Sequence, residues 1–422
     1  MTITLFGIIW IVLLIYSFYK TRIQFLISLT LLSMIFQCTN VIELNNQGIG
    51  PQLITSITFI IRSIFISQRQ ATKQKYPYLI ASLFLFVIYI LFNSIYNGLL
   101  SNNTANIIQI LLYLLCAIRL HKYRNIIDEQ ELINQVLFII KFILIFSPVQ
   151  YLATKGVIPR EFLVPLFFND MGENVYFHYP DRYQRLLGTF LEPSFCAPFL
   201  VGSFFFILHM QKRIKNAKSI LILIIIELIL TKSSTGYGTF FIIFIIYILA
   251  CGNKKHFKYI IPIFLIGAIF YYLTKDNLLQ EVIFSKMESD SGKFRGQQDF
   301  NAIYLFLSNP VTGSGLGSSR ASSLITTLLA ELGIVGITLY AITFFASSYP
   351  LINQQKYTQL EISSRLFILS IIFSQLIAIP DLQYCVYWLS LYIIALSQCT
   401  PSNISNKRSQ TTLLKKTNAL QC

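Results

Sequence analysis

The chain has 422 residues, of which 55% are hydrophobic and only 12% are charged. A soluble domain carries about 25% charged residues, so this composition excludes an ordinary soluble enzyme. The net charge of +15 would also suit a nucleic-acid-binding protein, but it is better explained by basic loops on the cytoplasmic side of a membrane. We therefore expect no nucleic-acid partner.

Apolar segments of membrane-spanning length recur along the chain, beginning with TLFGIIWIVLLIYSFY at residues 4–19. This first segment lacks the basic start and the cleavage site of a signal peptide, so we predict a retained span. A helix crosses a bilayer with about 20 apolar residues, and the sequence predicts an all-α polytopic integral membrane protein with about 12–13 transmembrane helices. The candidate spans lie near residues 3–19, 24–42, 50–67, 77–99, 104–120, 132–153, 186–209, 219–231, 235–251, 257–274, 323–348, 363–379 and 382–398.

The loops between these spans differ in charge. Loops after odd-numbered spans are basic, whereas loops after even-numbered spans are short and nearly uncharged, or long with mixed charge. By the positive-inside rule this alternation predicts an outside N-terminus and a cytoplasmic C-terminus. The third span contains Pro51 and Arg62. We retain it because the alternation requires it, and we expect Arg62 to snorkel toward the cytoplasm.

This topology predicts two large outer loops with mixed charge and many aromatic residues, which favours ordered caps over disordered tails. It divides the chain into a six-span N-terminal bundle (1–153), a first large outer loop (154–185), central helices (186–274), a second large outer loop (275–322), C-terminal helices (323–398) and a basic cytoplasmic tail (399–422).

The most glycine-dense segment is NPVTGSGLGSSR at residues 309–320, on the predicted outer side just before the eleventh span. Neither GxGxxG after a strand nor GxxxxGK[ST] is present, which argues against a nucleotide site. Gly313, Gly315 and Gly317 predict a tight turn that delivers Arg320 to a helix N-terminus, where backbone N–H groups attract anions. A pyrophosphate site is one interpretation, and a turn that simply starts the helix beside a snorkelling arginine is the other.

Two carboxylates lie at similar shallow depth beneath the predicted caps. Glu192 is about two turns into the seventh span, and Glu331 is about eight residues below the outer end of the eleventh. A carboxylate at that depth is costly unless it faces a cavity or a partner. Each is either a general base or acceptor-hydroxyl ligand, or half of an Arg–Glu pair that closes a cap on the helices.

Other polar residues support weaker hypotheses. Lys141 and Glu227 lie at nearly equal estimated depths in the sixth and eighth spans, which predicts an intramembrane ion pair. His178 and His209 have no second His or Cys at ligand spacing. The seven cysteines show no CxxC spacing. We therefore expect no metal site.

Several of these segments, in this order, resemble bacterial O-antigen polymerases of the Wzy type. RLLGTFLEPSFCAPFL is similar to the start of a helix in that family, and LTKSSTGYGTFF is similar to the turn that follows the next span. FLSNPVTGSGLGSS and LLAELGIVGITLY resemble the glycine loop and the helix shared by the polymerase and ligase superfamily. The resemblance extends from about residue 180 to residue 345.

The resemblance implies a GT-C-like enzyme in the bacterial inner membrane. Such enzymes transfer a growing glycan from undecaprenyl-diphosphate to a new undecaprenyl-diphosphate-linked repeat unit at the outer face, for O-antigen, capsule or exopolysaccharide. They use no cofactor or metal, and a chain-length regulator is a possible partner. The resemblance implies catalytic roles for Glu192, Arg320 and Glu331, and diphosphate or substrate binding by Arg182, Arg185 and Arg295.

Two alternative functions remain open. O-antigen ligases of the superfamily place a histidine ten residues before the Gly-x-x-Gly of this helix, and here that register gives Ser322–Ser323 before Gly333 and Gly336. The missing histidine favours polymerisation over ligation. A flippase or transporter of lipid-linked glycans would line a deep central path with basic residues, whereas this chain concentrates its arginine-bearing loops on the predicted outer side.

Overall fold

The computed structural model describes residues 2–19, 23–44, 47–65, 78–99, 103–159, 163, 185–251 and 290–397. These residues form an all-α multi-pass membrane protein with one small sheet, and seven of their helices are long and apolar enough to cross a membrane. The helices are α1 (Leu5–Tyr19), α2 (Ile23–Ser33), α3 (Pro51–Phe65), α4 (Tyr78–Tyr96), α5 (Thr104–Tyr123), α6 (Glu129–Thr154), α7 (Pro193–Met210), α8 (Ala217–Leu230), α9 (Ser234–Cys251), α10 (Asp290–Ser308), α11 (Leu324–Ile352), α12 (Gln359–Ala378) and α13 (Cys385–Ser397).

Twelve of the thirteen predicted spans contain one of these helices, and the span near 257–274 lies outside the described residues. The second span is shorter than predicted, because α2 ends at Ser33 instead of continuing to residue 42. Beyond that point the backbone forms hydrogen bonds with Thr189. The Gln37 N–H donates to the Thr189 carbonyl, and the Thr189 hydroxyl donates to the Ile35 carbonyl. These contacts satisfy polar groups that a longer helix would have satisfied internally.

The sheet was not predicted from the sequence. Its antiparallel strands, in the order β1–β2–β3, are Thr2–Ile3, Ile42–Leu44 and Gln47–Ile49. Thr2 is paired with Glu43, and Glu43 with Gly48. The sheet ties the start of the chain to the segment between α2 and α3. Strands of two and three residues leave no alternating pattern long enough to recognise in a sequence.

The helices run alternately between two ends of the bundle. We call one the site end; it holds the starts of α5, α7, α11 and α13 and the ends of α4, α6, α8 and α12. Side chains join these termini: Asn103 donates to the Leu316 carbonyl at 2.6 Å, and Gln150 Oε1 accepts from Leu187 N–H at 3.0 Å. The opposite end is closed by Gln354 on the Ala250 carbonyl and by Arg213 on Glu129.

Basic residues are concentrated at that opposite end, which we call the basic end. By the positive-inside rule its lysines and arginines are expected to mark the cytoplasmic side. Those that the structure describes there are Arg62, Arg119, Lys122, Arg124, Lys212, Arg213, Lys215, Lys218, Lys356 and Arg365.

The centre of the bundle is formed by α7, α12 and α13, whose side chains are almost all buried. Gly202 of α7 lies against α12 so closely that an added Cβ would be 3.0 Å from the Phe367 ring. Small residues allow such close approach between membrane helices. This contact holds α7 and α12 together near the middle of both helices.

The predicted Lys141–Glu227 ion pair is wrong. Lys141 is exposed on α6, whereas Glu227 is buried and lies against Ser147, one and a half turns further along that helix. Six residues correspond to about 9 Å of rise. Within the described ranges, the ion pairs are Arg213–Glu129 and Arg320–Asp381. The estimate of depth failed because α8 has only 14 residues and Glu227 lies near its site end.

Candidate functional site

The site end is organised around a break in α11. Gly333 has φ 62° and ψ −164°, which no helix allows, so the helix is interrupted about two and a half turns after its start at Leu324. The break removes the bonds from Ile334 and Val335 N–H to the carbonyls of Ala330 and Glu331. In a membrane such unsatisfied backbone groups are tolerated only where the protein itself supplies partners.

The glycine-rich segment 309–320 supplies those partners, because its backbone comes close enough to α11 to form hydrogen bonds with it. Ser314 N–H donates to the Ala330 carbonyl at 2.9 Å, and Gly315 N–H donates to the Glu331 carbonyl at 2.8 Å. In the other direction, Ile334 N–H donates to the Pro310 carbonyl and Val335 N–H to the Val311 carbonyl. Four bonds to the loop thus replace two helical bonds.

Glycine is required on both sides of this contact. At Gly313, φ is +74° and an added Cβ would lie 2.4 Å from the Glu331 carbonyl. At Gly333, φ is +62° and an added Cβ would lie 2.3 Å from the Val311 carbonyl oxygen. A side chain at either position would be strained and would separate the two backbones.

Glu331 holds the same loop with its side chain. The residue is buried, and its carboxylate accepts hydrogen bonds from the N–H of Gly317, at 2.8 Å, and of Ser319. The partners are therefore backbone groups of the loop, not the arginine of the predicted Arg–Glu pair. Glu331 thus fixes the segment that ends in Arg320.

Arg320 leaves the loop on the outside of the molecule. Its Nη2 lies 3.3 Å from Asp381 Oδ2, and 69% of its side chain is exposed. Asp381 belongs to the short connection between α12 and α13, 61 residues away in sequence. The guanidinium thus has one long contact and presents most of its donors outward, a geometry available to a bidentate anion such as a phosphate.

Glu192 lies at the N-terminus of α7, not two turns inside a helix as the sequence predicted. The helix begins at Pro193, and Glu192 is the N-cap residue, with an extended backbone and an exposed side chain. Proline favours the first helical position because it needs no N–H partner there. The Glu192 carboxylate does not cap the backbone N–H groups of α7 but accepts from the Ser194 hydroxyl at 2.8 Å.

The three acidic residues are brought to one place by contacts between helix termini. The Tyr384 hydroxyl at the start of α13 donates to the Phe195 carbonyl in the first turn of α7. Asp381 consequently lies within electrostatic range of both Glu192 and Glu331. Burial raises the pKa of Asp381, Arg320 lowers it and the charge of Glu192 raises it again; the net direction is upward.

A fourth acidic residue, Asp299 on α10, anchors the start of α11. It accepts from Ser322 N–H at 2.8 Å and from the Ser322 hydroxyl at 2.5 Å, while Ser323 caps the helix by accepting from Thr326 N–H. The two serines that stand where ligases have a histidine are thus both engaged in local structure. They hold the backbone two residues beyond Arg320.

Of the three remaining predicted arginines, the two that the structure describes do not join this cluster. Arg185 is half-buried and donates to the carbonyls of Thr231 and Lys232, at 2.8 and 2.6 Å, where it caps the end of α8. Arg295 is exposed near the start of α10. Arg182 lies outside the described residues, as do His178 and most of the first large outer loop. In the described part of the chain, no three His, Cys, Asp or Glu side chains are grouped to hold a metal ion.

Sequence reasoning missed Asp381 and Asp299. Asp381 follows Pro380 in a turn between two apolar spans, and its charge in an otherwise apolar region was the available signal. Asp299 lies among mixed charges, and nothing in the sequence links it to Ser322.

The geometry is thus a single exposed arginine beside a cluster of carboxylates, presented by a loop that repairs a broken membrane helix. No protein-family model matches the chain, and no curated protein matches it either.

Proposed function

We propose that this protein polymerises lipid-linked oligosaccharide repeat units at the outer face of a bacterial inner membrane. In this reaction the growing glycan leaves one undecaprenyl-diphosphate and joins a repeat unit carried on another. The observation that carries the proposal is the position of Arg320: it is exposed, at one end of a membrane bundle, and paired with Asp381, which lies within electrostatic range of the exposed carboxylate of Glu192.

In the proposed reaction Arg320 binds the diphosphate of the donor. Departure of the lipid diphosphate leaves negative charge on its oxygens, and a guanidinium stabilises that charge with two parallel hydrogen bonds. The long Arg320–Asp381 contact is weak enough for a phosphate to replace it, because exposed ion pairs contribute little. Asp381 keeps the guanidinium in position while the site is empty.

Glu192 is the proposed general base. Its carboxylate is exposed, accepts one hydroxyl hydrogen bond from Ser194 and belongs to the same cluster as Arg320. A base in this position takes the proton from an acceptor sugar hydroxyl as that oxygen attacks the anomeric carbon. Glu331 is buried and bonded to the loop, which supports a positioning role for it.

Two features favour polymerisation over ligation to lipid A core. Ser322 and Ser323 replace the ligase histidine, and both are engaged in the start of α11. A neutral serine bound to Asp299 is a poor base.

Arg185 is engaged at the end of α8, where it donates to two backbone carbonyls, so we assign it a structural role. Arg295 and Arg182 remain candidates for contacts with substrate.

The glycan ladder of a strain that lacks this protein tests the proposal. Loss of a polymerase leaves single repeat units attached to the cell surface. Loss of a flippase leaves no glycan outside, and loss of a ligase leaves long polymer unattached. Single attached repeats, restored to a ladder by the wild-type chain, are the expected result; either of the other two patterns contradicts the proposal.

A further inference from the structure

The helix α10 has three distinct faces, and one of them is fixed against the bundle. Ala302 is buried with Ala321 and Ala330, Leu305 packs against the same cluster, and Asp299 binds Ser322. These contacts set the rotation of α10 about its own axis. The directions of its other side chains follow from that rotation.

An apolar stripe covers a second face and is exposed. Phe300, Ile303, Tyr304 and Leu307 follow the i, i+3, i+4, i+7 spacing of one helix face, and each is between 49% and 71% exposed. Gln297, Asn301 and Ser308 are also exposed and form a third, polar face beside the stripe. A helix that contacts protein, apolar surroundings and water on three separate faces is typical of a membrane interface.

Exposed apolar residues follow the stripe and reach the surface of α11. Val311 follows it and is exposed, and its carbonyl accepts from Val335 N–H. Ile334 and Val335 are exposed beside it, as are Ile342 and Phe345 further along α11. Since α11 is long and apolar enough to cross a membrane, the surface that these residues share is the one that faces lipid.

We infer that α10 lies in the lipid–water interface at the site end, with its apolar stripe among the upper acyl chains and its polar face in water. The occupant of the stripe is the bilayer itself. Tyr304 has the amphipathic ring that is enriched at this depth. Nineteen residues give the helix a length of about 28 Å along the membrane surface. The inference is independent of the proposed enzymatic reaction.

Tryptophan scanning with two quenchers tests this orientation in the full chain, reconstituted in phosphatidylcholine nanodiscs. The native Trp10 and Trp388 are both buried, so wild-type protein supplies a constant background. Leu307→Trp and Ile303→Trp report on the stripe, and Asn301→Trp is the matched control on the polar face of the same helix. Lipids brominated on the acyl chain quench from the bilayer, and iodide quenches from water.

We expect brominated lipid to remove the added emission of Leu307→Trp and Ile303→Trp, and iodide to remove that of Asn301→Trp. Iodide quenching of all three variants would place α10 in water and overturn the inference. Protection of the stripe positions from both quenchers would show that a second copy or another polypeptide covers them, which also overturns it. Lipid quenching of Asn301→Trp as well would exclude an interfacial orientation.

Each variant is first checked for a monodisperse elution profile and a wild-type melting temperature in detergent. The three positions are exposed, so we expect them to accept tryptophan. If Leu307→Trp or Ile303→Trp fails this check, Phe300→Trp exchanges one aromatic ring for another on the same stripe and decides the question.

Discussion

Each end of the bundle has an ion pair between two described residues, and the two pairs are built differently. At the basic end, Arg213 donates to Glu129 Oε1 at 2.5 Å and to Gln130 Oε1 at 3.3 Å, and 31% of its side chain is exposed. At the site end, Arg320 meets Asp381 at 3.3 Å with 69% of its side chain exposed. An arginine–carboxylate pair thus occurs once as a short, partly buried contact and once as a long, exposed contact.

This difference suggests different roles: the Arg213 pair stabilises the fold, and the Arg320 pair belongs to the proposed binding site. The Arg213 guanidinium uses two of its nitrogens to join the α7–α8 connection to the start of α6, and it contributes to holding the bundle together. The Arg320 pair is long and exposed, a type of pair that contributes about 0–1 kcal/mol. This geometry leaves room for a ligand to take the place of Asp381, as the proposed function requires.

The largest expected effect is that of Arg320→Ala on glycan length. Hydrogen bonds to charged groups contribute about 1.5–3 kcal/mol each, so loss of the two-pronged contact slows transfer roughly 100-fold or more. We expect the ladder to collapse to single repeats at an unchanged protein level. Arg320→Lys rescues poorly because an ammonium lacks the planar fork.

Arg213→Ala is the matched control for that experiment. It removes the guanidinium of the other ion pair and should leave glycan length unchanged after protein levels are equalised. A normal ladder in Arg320→Ala, or shortened chains in Arg213→Ala at equal protein level, would show that the two pairs do not divide the roles in this way.

Gly313→Ala tests the loop that delivers Arg320. The substitution places Cβ 2.4 Å from the Glu331 carbonyl at φ +74°, and alanine at a positive φ destabilises by more than about 1 kcal/mol. We expect a clear drop in thermal stability and a shorter ladder. Gly98→Ala is the control that distinguishes backbone strain from the close contact. Gly98 has a similar φ of +65°, but a Cβ added there would have no atom within 4 Å.

Gly296→Ala completes this series. Gly296 lies within α10 with open space around it, so alanine is expected to be neutral or to stabilise the helix by about 0.5–1 kcal/mol. A melting temperature for Gly313→Ala no lower than that of Gly98→Ala would mean that the close contact with Glu331 does not matter.

Arg213→Ala should lower stability moderately. Partly exposed pairs contribute up to about 1 kcal/mol, and the contact with Gln130 adds to this value. Arg213→Lys keeps the charge but cannot reach both partners, and we expect an intermediate melting temperature. Equal melting temperatures for wild type and both variants would mean that this pair is no more stabilising than the Arg320 pair.

The smallest expected effect concerns Asp381 and pH. Its pKa is raised in the folded protein, so the unfolded chain loses this proton first, and the ionised carboxylate costs stability as pH rises from the ordinary aspartate pKa through the folded one. We expect Asp381→Asn to melt at least as high as wild type at neutral pH. Below the ordinary aspartate pKa the two should converge. An advantage for wild type that grows with pH would mean that the bond to Arg320 outweighs burial.

The positions and lengths of apolar runs in the sequence were sufficient to predict most of the helices. Twelve of the thirteen described α-helices lie in spans predicted from apolar runs, because a helix that crosses the bilayer must be apolar over most of its length. The direction in which a side chain points could not be predicted in the same way. Helices that are apolar on nearly every face, such as α6 and α8, give no sign of which face meets which neighbour, and the Lys141–Glu227 prediction, which relied on depth alone, had no such guide.

The candidate site was predicted in part. Proximity of Gly313, Gly315, Gly317 and Arg320 to a helix N-terminus followed from their position in the sequence. The break at Gly333 did not, because a glycine in an apolar span is also compatible with an intact helix. Asp381 and Asp299 contact residues far from them in sequence, and such pairings depend on tertiary packing that no local pattern records.

The repair of α11 by the glycine loop restricts how this end of the protein can move. Releasing the loop would strip four backbone hydrogen bonds at once and expose carbonyls at membrane depth, a penalty of several kcal/mol. The loop therefore cannot swing open as a lid over a stationary helix. Because the loop bonds to α11 on both sides of Gly333, the loop, Arg320 and the two parts of α11 are held as one unit, and a substrate that needs more room must be accommodated without separating them.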